Sequence, residues 1–157
     1  MIKNLLPLIA ALLVALSLTA DAASEKRLPT AMTGGWEGAA RIIVTWCKQE
    51  KLGLKLTIWP DGTVSGTVGD ATLRKARLES NRGWLGRKLN LKTDWIIRGE
   101  LSGPIVAAEK IVRTSVSIPL NHDGKRYTGG LHTSGAKFGG KSGMRLSAAG
   151  LVMTRTR

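Results

Sequence analysis

The sequence predicts an all-β protein that forms an eight-stranded antiparallel up-and-down barrel, with a two-sheet β-sandwich as the alternative. From residue 36 onward, Val, Ile, Leu and Thr recur with a period near two, the pattern of strands with one buried and one wet face. Glycine-containing turns interrupt this pattern about every ten residues, a spacing typical of antiparallel sandwiches and barrels. Glycines also fall inside the strands, where they mark bends that help a sheet to close.

The start of the chain is typical of a secretory signal peptide. Lys3 gives a positive start, residues 5–18 form an apolar run of mainly Leu and Ala, and Ala20-Asp21-Ala22 supplies a small-residue cleavage pattern. The apolar run is shorter than the roughly 20 residues that a membrane-spanning helix needs. We therefore expect residues 1–22 to be removed, with cleavage after Ala20 as the alternative, and the protein to be periplasmic or extracellular.

The remaining chain is long enough for one hydrophobic core and too short for two. We expect a flexible arm over 23–33 and a single barrel domain over 34–157. Asp61-Gly62 and Asp123-Gly124 supply the positive φ that tight hairpin turns need, so they predict two hairpins. The predicted strands are 36–47, 52–59, 63–68, 71–80, 88–101, 112–120, 125–133 and 143–154, with a loop or a single helical turn over 81–87.

The charge of the chain is strongly positive and unevenly spread. The sequence has 24 Lys and Arg against 11 Asp and Glu, a net charge of +13. Residues 23–80 carry nine basic and six acidic residues (9 − 6 = +3), whereas residues 81–157 carry fourteen and four (14 − 4 = +10). In an exported protein such a field favours anionic lipid, with peripheral membrane contact, lipopolysaccharide, acidic polysaccharide or an acidic protein, and export disfavours nucleic acid. A charge that only maintains solubility is the alternative.

Tryptophan dominates the aromatic residues, with five Trp against one Phe and one Tyr. A tryptophan side chain combines a large apolar face with one N–H donor, which suits a ligand pocket as well as a core. The candidate ligand-binding residues are Trp36, Trp46, Trp95 and Tyr127 inside the barrel, and Trp59 and Trp84 beside a turn and in a loop. Ordinary core packing is the alternative for the inward-facing tryptophans.

The strongest candidate for an anion contact is the glycine-rich stretch 139–142. Lys137, Lys141 and Arg145 bracket it with positive charge, and Arg155 near the end of the chain is a fourth candidate. The stretch lacks the other positions of a phosphate-binding P-loop. A flexible loop is therefore the alternative interpretation.

The residues needed for catalysis or metal binding are scarce. His122 and His132 are the only groups that ordinarily titrate near neutral pH, and we expect both to be solvated, His122 in a hairpin turn. Cys47, the single cysteine, cannot form an internal disulfide, and we expect it to be a small buried side chain at the end of a strand. No zinc or calcium spacing is present. We therefore predict a protein that is not an enzyme and has no cofactor.

The start of the first predicted strand resembles a motif of a known protein family. Gly34-Gly35-Trp36 resembles the Gly-x-Trp motif that opens the barrel of lipocalins and avidins, the calycins, and residues 62–67 look like the second hairpin of avidin-type barrels. The resemblance implies that Trp36 closes one end of the barrel beneath an arginine of the last strand, either Arg155 or Arg145. It also implies a barrel that holds a small apolar ligand.

These observations favour an exported, non-enzymatic binding protein. Its partner would be a small apolar ligand in the barrel or an anionic component of the cell envelope. A protein-interaction module or inhibitor of the cell envelope, with a solid core and recognition loops, is the alternative. The oligomeric state stays open.

Overall fold

The computed structural model describes residues 28–81, 93–135 and 145–156. Their strands are β1 (Gly34–Ile42), β2 (Lys51–Ile58), β3 (Thr63–Val68), β4 (Ala71–Ser80), β5 (Trp95–Ser102), β6 (Pro104–Val106), β7 (Ile111–Val112), β8 (Ser115–His122), β9 (Arg126–Ser134) and β10 (Ser147–Arg155). Eight of these strands close into an antiparallel barrel in the order β1-β10-β9-β8-β5-β4-β3-β2, and β6 and β7 form a separate hairpin. The predicted eight-stranded barrel is confirmed, and the alternative sandwich is not observed.

Alternating side chains explain why these segments form strands. In β2 the side chains of Leu52, Leu54, Leu56 and Ile58 are buried, while Lys51 and its alternate neighbours face solvent. This is the period-two pattern of a strand with one face on the core. The largest fully buried side chains of the interior are Trp36, Arg113, Tyr127, Leu52, Leu54, Ile58, Ile97, Ile105, Ile118, Leu120, Leu131 and Leu146.

Both predicted hairpins are present, and a carboxylate stabilises each turn. Between β2 and β3, Asp61 Oδ1 accepts a hydrogen bond of 2.9 Å from the N–H of Thr63, and Gly62 has a φ of +83°. Between β8 and β9, Asp123 Oδ1 accepts from the N–H groups of Lys125 and Arg126 at 3.0 and 2.9 Å. These are Asx-type turns, in which the aspartate satisfies backbone donors that the ladder leaves free.

Several predicted strand boundaries were wrong. β1 ends at Ile42 rather than at residue 47, because the chain leaves the sheet there and turns back toward β2. The strand predicted over 112–120 is divided between β7 and β8, since β7 pairs with β6 whereas β8 pairs with β5 and β9. β10 begins at Ser147. The predicted signal peptide, residues 23–27 of the arm, residues 82–92 and residues 136–144 lie outside the described residues.

One end of the barrel, here called the Met32 end, is covered by the chain that precedes β1. Residues Thr30–Met32 form a short 3-10 turn, and Met32 is buried against the barrel. The hydroxyl of Tyr127 donates a 3.0 Å hydrogen bond to the carbonyl of Met32, and the N–H of Leu28 donates to the carbonyl of Pro60 at 2.9 Å. The described part of the predicted flexible arm is therefore a packed plug, because Met32 is buried in the core and Leu28 packs against it.

The opposite end, here called the Arg113 end, is covered by the β6–β7 hairpin and by the connection over 43–50. Ile105 and Val106 of the hairpin are fully buried. The carboxylate of Asp70 accepts a 2.8 Å hydrogen bond from the N–H of Ala107, which ties the hairpin to the β3–β4 turn. Within the described residues, no helix has the length and apolar character needed to cross a bilayer.

Candidate functional site

A cavity of about 460 Å³ lies on the outer surface of the barrel across β5, β8 and β9, and we call it the outer groove. Its lining residues are Arg98, Gly99, Ser115, Val116, Ser117, His132, Thr133, Ser134 and Arg145. The strand register explains this grouping, because Ser117 is paired with Arg98 on one side and with His132 on the other. Directly paired residues of antiparallel strands present their side chains on the same face.

The polar side chains of the outer groove are two arginines, which only donate, and a histidine and hydroxyls, which can donate or accept. Arg98 Nη1 lies 3.0 Å from a carboxylate oxygen of Glu79, and both side chains are at least half exposed. Ser115 Oγ and Ser134 Oγ are 2.6 Å apart, and His132 Nδ1 lies 3.1 Å from Ser147 Oγ. The lining contains no carboxylate. An anion in this groove would therefore meet guanidinium, imidazole and hydroxyl groups, and at Arg98 it would compete with the Glu79 carboxylate just outside the lining.

Arg145 is the one predicted anion contact that the structure places in this groove. It is exposed and has no ion-pair partner among the described residues. Lys137 and Lys141 lie outside the described residues. Arg155 lies elsewhere, at the end of β10, where it stands opposite Trp36. Anion binding by these residues stays a prediction.

A second cavity, of about 590 Å³, lies at the Arg113 end, and we call it the Arg113 cavity. Its lining residues are Glu100, Leu101, Ser102, Gly103, Val112, Arg113, Thr114 and Ser115. The side chain of Arg113 is 0 % exposed, and its guanidinium carbon lies 5.1 Å from the ring centroid of Trp46. This is the geometry of a cation–π contact. Burial lowers the pKa of Arg113.

A carboxylate latches the two segments that cover this end. Glu109, in the β6–β7 turn, accepts hydrogen bonds of 2.8 Å from the N–H groups of both Lys48 and Gln49. The Sγ of Cys47 also donates to Glu109 Oε1 at 3.5 Å. Burial raises the pKa of Glu109, but the hydrogen bonds from Gln49 and Lys48 outweigh it and leave the pKa below its ordinary value. The latch therefore depends on an ionised carboxylate.

Cys47 is buried, as predicted, but it lies in the 43–50 connection rather than on a strand. Burial raises the pKa of its thiol, and the neighbouring charge of Glu109 acts in the same direction. A protonated, buried thiol is a poor nucleophile. The structure thus gives Cys47 the surroundings of a packing residue.

An aromatic cluster lies behind the plug of the Met32 end. The ring of Trp36 makes edge contacts with Tyr127, at a centroid distance of 4.6 Å, and with His122 at 5.7 Å. His122 is less solvated than predicted, because its side chain is half-buried against Trp36 and Tyr127 and its Nε2 is buried without a hydrogen-bond partner among the described residues. Burial lowers the pKa of His122, against opposing effects of Asp123 and of the Ala31 backbone.

The predicted aromatic ligand contacts do not form one pocket in the described structure. Trp36 and Tyr127 are buried in contact with each other at the Met32 end, and Trp95 lies at the start of β5 at the same end, half-buried. Trp46 packs at the opposite end. Trp59 is 51 % exposed beside its turn. Trp84 lies outside the described residues.

Sequence reasoning missed Arg98, His132 and Arg113 as site residues. The outward direction of Arg98 could be predicted from the alternation of its strand, but its alignment with His132 depends on pairing between β5, β8 and β9. No sequence signal distinguished Arg113 from an exposed arginine. Among the described residues, no group of three or more His, Cys, Asp or Glu side chains could hold a metal ion. Comparisons with family models, curated proteins and solved structures gave no significant match to this chain.

Proposed function

We propose that this protein is an exported, non-enzymatic binding protein that holds an acidic polysaccharide in the outer groove. The observation that carries the proposal is a groove of about 460 Å³ that combines two arginines, a histidine and three serines with no carboxylate in its lining. Its volume falls in the range of ligand sites. The basic excess of residues 81–157 supports it, because a net charge of +10 over that half of the chain attracts polyanions.

The chemistry of the groove suits a charged sugar. Guanidinium groups such as those of Arg98 and Arg145 bind carboxylate or sulfate through paired N–H donors. The hydroxyls of Ser115, Ser117 and Ser134 can exchange hydrogen bonds with sugar hydroxyls. Together they provide donors for the anionic group and mixed donors and acceptors for the ring that carries it.

A polysaccharide fits the surface better than a membrane does. Insertion into a lipid surface needs an apolar face that enters the headgroup region, whereas a basic surface alone is held to anionic lipid only by its charge. The large exposed apolar side chains of the described residues are Ile43, Trp59 and Val152. Ile43 follows β1 at the Arg113 end, Trp59 follows β2 at the Met32 end, and Val152 lies within β10, so the three do not form one patch.

A binding role, rather than a catalytic one, is consistent with the polar contacts of the groove. His132 Nδ1 lies 3.1 Å from Ser147 Oγ, but the described residues include no carboxylate bonded to the imidazole. A Ser-His pair without the third, orienting group lacks part of the arrangement that activates a serine. We therefore assign His132 to ligand contact, with Ser147 orienting its ring.

A calycin-like relationship is the second part of the proposal. It is supported by the closed eight-stranded barrel and by the position of Arg155 on the last strand, directly opposite Trp36 on the first. A small apolar ligand in the barrel is the less favoured partner, because buried side chains in mutual contact occupy the Met32 end around Trp36 and Tyr127.

The test is calorimetric titration of the exported form of the chain with polygalacturonate, and with neutral dextran as the control polymer. We expect saturable binding to polygalacturonate that weakens at least about tenfold when the Debye length falls from about 10 Å to about 3 Å with added salt. Equal binding to dextran would contradict the proposal. So would binding to anionic phospholipid vesicles with none to polygalacturonate, which would indicate a membrane partner.

A further inference from the structure

A row of polar side chains crosses the outer face of the barrel and passes through the outer groove. The strand register pairs Arg77 with Arg98, Arg98 with Ser117, and Ser117 with His132. Directly paired residues of antiparallel strands lie on the same face of the sheet. The four side chains of Arg77, Arg98, Ser117 and His132 therefore form one line across β4, β5, β8 and β9, which we call the transverse row.

The transverse row places two exposed arginines side by side on neighbouring strands. Like charges directly opposite each other destabilise a sheet. Glu79 offsets the charge of Arg98, with an N–O distance of 3.0 Å, whereas Arg77 Nη2 donates a 3.0 Å hydrogen bond to the backbone carbonyl of Asp61. Hydrogen bonds from Thr63 chiefly lower the pKa of the Asp61 carboxyl, and the charge of Arg77 contributes less. The two arginines thus keep an excess of positive charge, which an anion bound across β4 and β5 would offset.

We propose that the acidic polysaccharide of the outer groove lies across the strands along the transverse row, and that Arg77 is a further contact residue beyond the groove lining. This inference rests on the function proposed for the outer groove. Adjacent strands are about 4.8 Å apart, so the row from Arg77 to His132 extends over roughly 14 Å of the barrel surface. A single sugar ring is shorter than this row. The bound unit is therefore a run of several acidic sugars.

Flanking carboxylates favour this path over one along a strand. From Arg77 along β4 the next outward carboxylate is Glu79, and from Arg98 along β5 it is Glu100. A polyanion that followed either strand would approach one of these carboxylates and be repelled. Across the sheet, the row continues from Arg98 over a serine to His132. Because Glu79 competes for Arg98, binding depends on the contacts at Arg77 and His132 as well.

The test is calorimetric titration of the exported form of the chain with trigalacturonate and hexagalacturonate at constant ionic strength. In the parent we expect hexagalacturonate to bind at least about tenfold more tightly, because only the longer chain reaches from the groove to Arg77. Arg77→Gln should reduce this ratio to less than about threefold. Arg74→Gln is the matched control, since Arg74 is exposed on the same strand but is paired with Glu100 outside the row. This control removes the same charge and should keep the parent ratio.

Amide chemical-shift mapping of the ¹⁵N-labelled parent with hexagalacturonate makes the test independent of how any variant folds. We expect the shifts to cross from Arg77 on β4 to His132 on β9. Shifts that follow a single strand, or that leave out β4, would overturn the inference, as would equal losses in Arg77→Gln and Arg74→Gln. In those cases binding of polygalacturonate by the parent would still support the outer groove. Absence of binding to polygalacturonate and to both oligosaccharides would overturn both proposals.

Discussion

Trp36 and Arg155 stand directly opposite each other where the first and last strands of the barrel meet. The Arg155 guanidinium lies over Gly34, since a Cβ at Gly34 would be 3.2 Å from Arg155 Nη2. On the inner side, the ring of Trp36 contacts Tyr127 at a centroid distance of 4.6 Å. The β1–β10 seam is thus fixed by a buried aromatic side chain within and by an exposed cation at its edge.

The first prediction concerns the close approach of backbones at this seam. In Gly38→Ala, the new methyl group would overlap the carbonyl oxygen of Val152 and lie 2.7 Å from the Cα of Met153. We expect the free energy of unfolding to fall by about 1–3 kcal/mol, since backbone atoms cannot move aside without disturbing the ladder. Gly53→Ala on β2, where a Cβ would meet no atom within 4 Å, is the control. Urea unfolding measures both, and equal stability of the two variants would contradict a tight seam.

The second prediction concerns the plug. Tyr127→Phe removes the 3.0 Å hydrogen bond to the carbonyl of Met32 and leaves that carbonyl unsatisfied in a buried place. We expect a loss of about 1–2 kcal/mol in the free energy of unfolding, measured by urea titration. Trp59→Phe, at the same end but 51 % exposed, should change it by less than about 0.5 kcal/mol. A Tyr127→Phe variant as stable as the parent would show that residues 28–33 do not hold the barrel end closed.

The third prediction concerns pH. Burial lowers the pKa of His122 from its ordinary value of 6.5, so the folded state binds fewer protons than the unfolded state just below that pH. Stability is therefore fully present above pH 6.5 and declines as the pH falls toward the folded pKa. The Asp123 carboxyl has its pKa lowered from 3.8 to about 2, so the stability that it provides is lost only below about pH 4 and does not add to the decline near pH 6. Urea unfolding across this range should show the decline in the parent.

Two histidine variants isolate the source of this pH dependence. His122→Asn should flatten the decline, because the half-buried imidazole is gone. His132→Asn removes the exposed histidine and should leave the decline in place. A parent protein whose stability is constant from pH 7 to about pH 5 would contradict the lowered pKa of the half-buried His122.

The fourth prediction concerns the latch at the Arg113 end. Glu109→Ala removes the acceptor of the Lys48 and Gln49 N–H groups and a charge that raises the pKa of Cys47. Both changes favour a more exposed and more ionised thiol, so we expect alkylation by iodoacetamide to become several-fold faster. Glu100 pairs with Lys75, whereas Cys47 bonds to Gln49 and Glu109, so Glu100→Ala should react like the parent. Equal rates in the parent and Glu109→Ala would mean that the latch does not protect Cys47.

The barrel could be predicted because its signals are local. The alternation of apolar and polar residues predicted that Leu54, Leu56 and Ile58 face the core, and the Asp-Gly pairs predicted the two hairpin turns. Each of these signals lies within about ten residues of chain. The closure of β1 on β10 joins the two ends of the domain, yet eight sequential antiparallel strands make that closure the expected way to remove free edges.

The sites could not be predicted in the same way, because they depend on contacts between distant segments. Arg98 and His132 are 34 residues apart in sequence (132 − 98 = 34) and meet only because both pair with Ser117. Arg113 stands in a stretch that alternates like a strand, and its burial results from the change of pairing partner between β7 and β8. No periodic pattern in the sequence predicts the hydrogen bonds between Glu109 and the 43–50 connection.

The most direct test of the account compares two double variants with the same charge. Arg98→Gln with Arg145→Gln empties the outer groove of its guanidinium groups, while Lys51→Gln with Lys125→Gln removes two exposed charges outside it. Each pair lowers the net charge from +13 to +11 (13 − 2 = 11). In calorimetric titration with polygalacturonate, we expect the groove pair to bind at least about tenfold more weakly than the parent, and the lysine pair to remain within about threefold of it. Equal losses in the two pairs would mean that net charge alone attracts the polyanion, and would contradict a specific site in the groove.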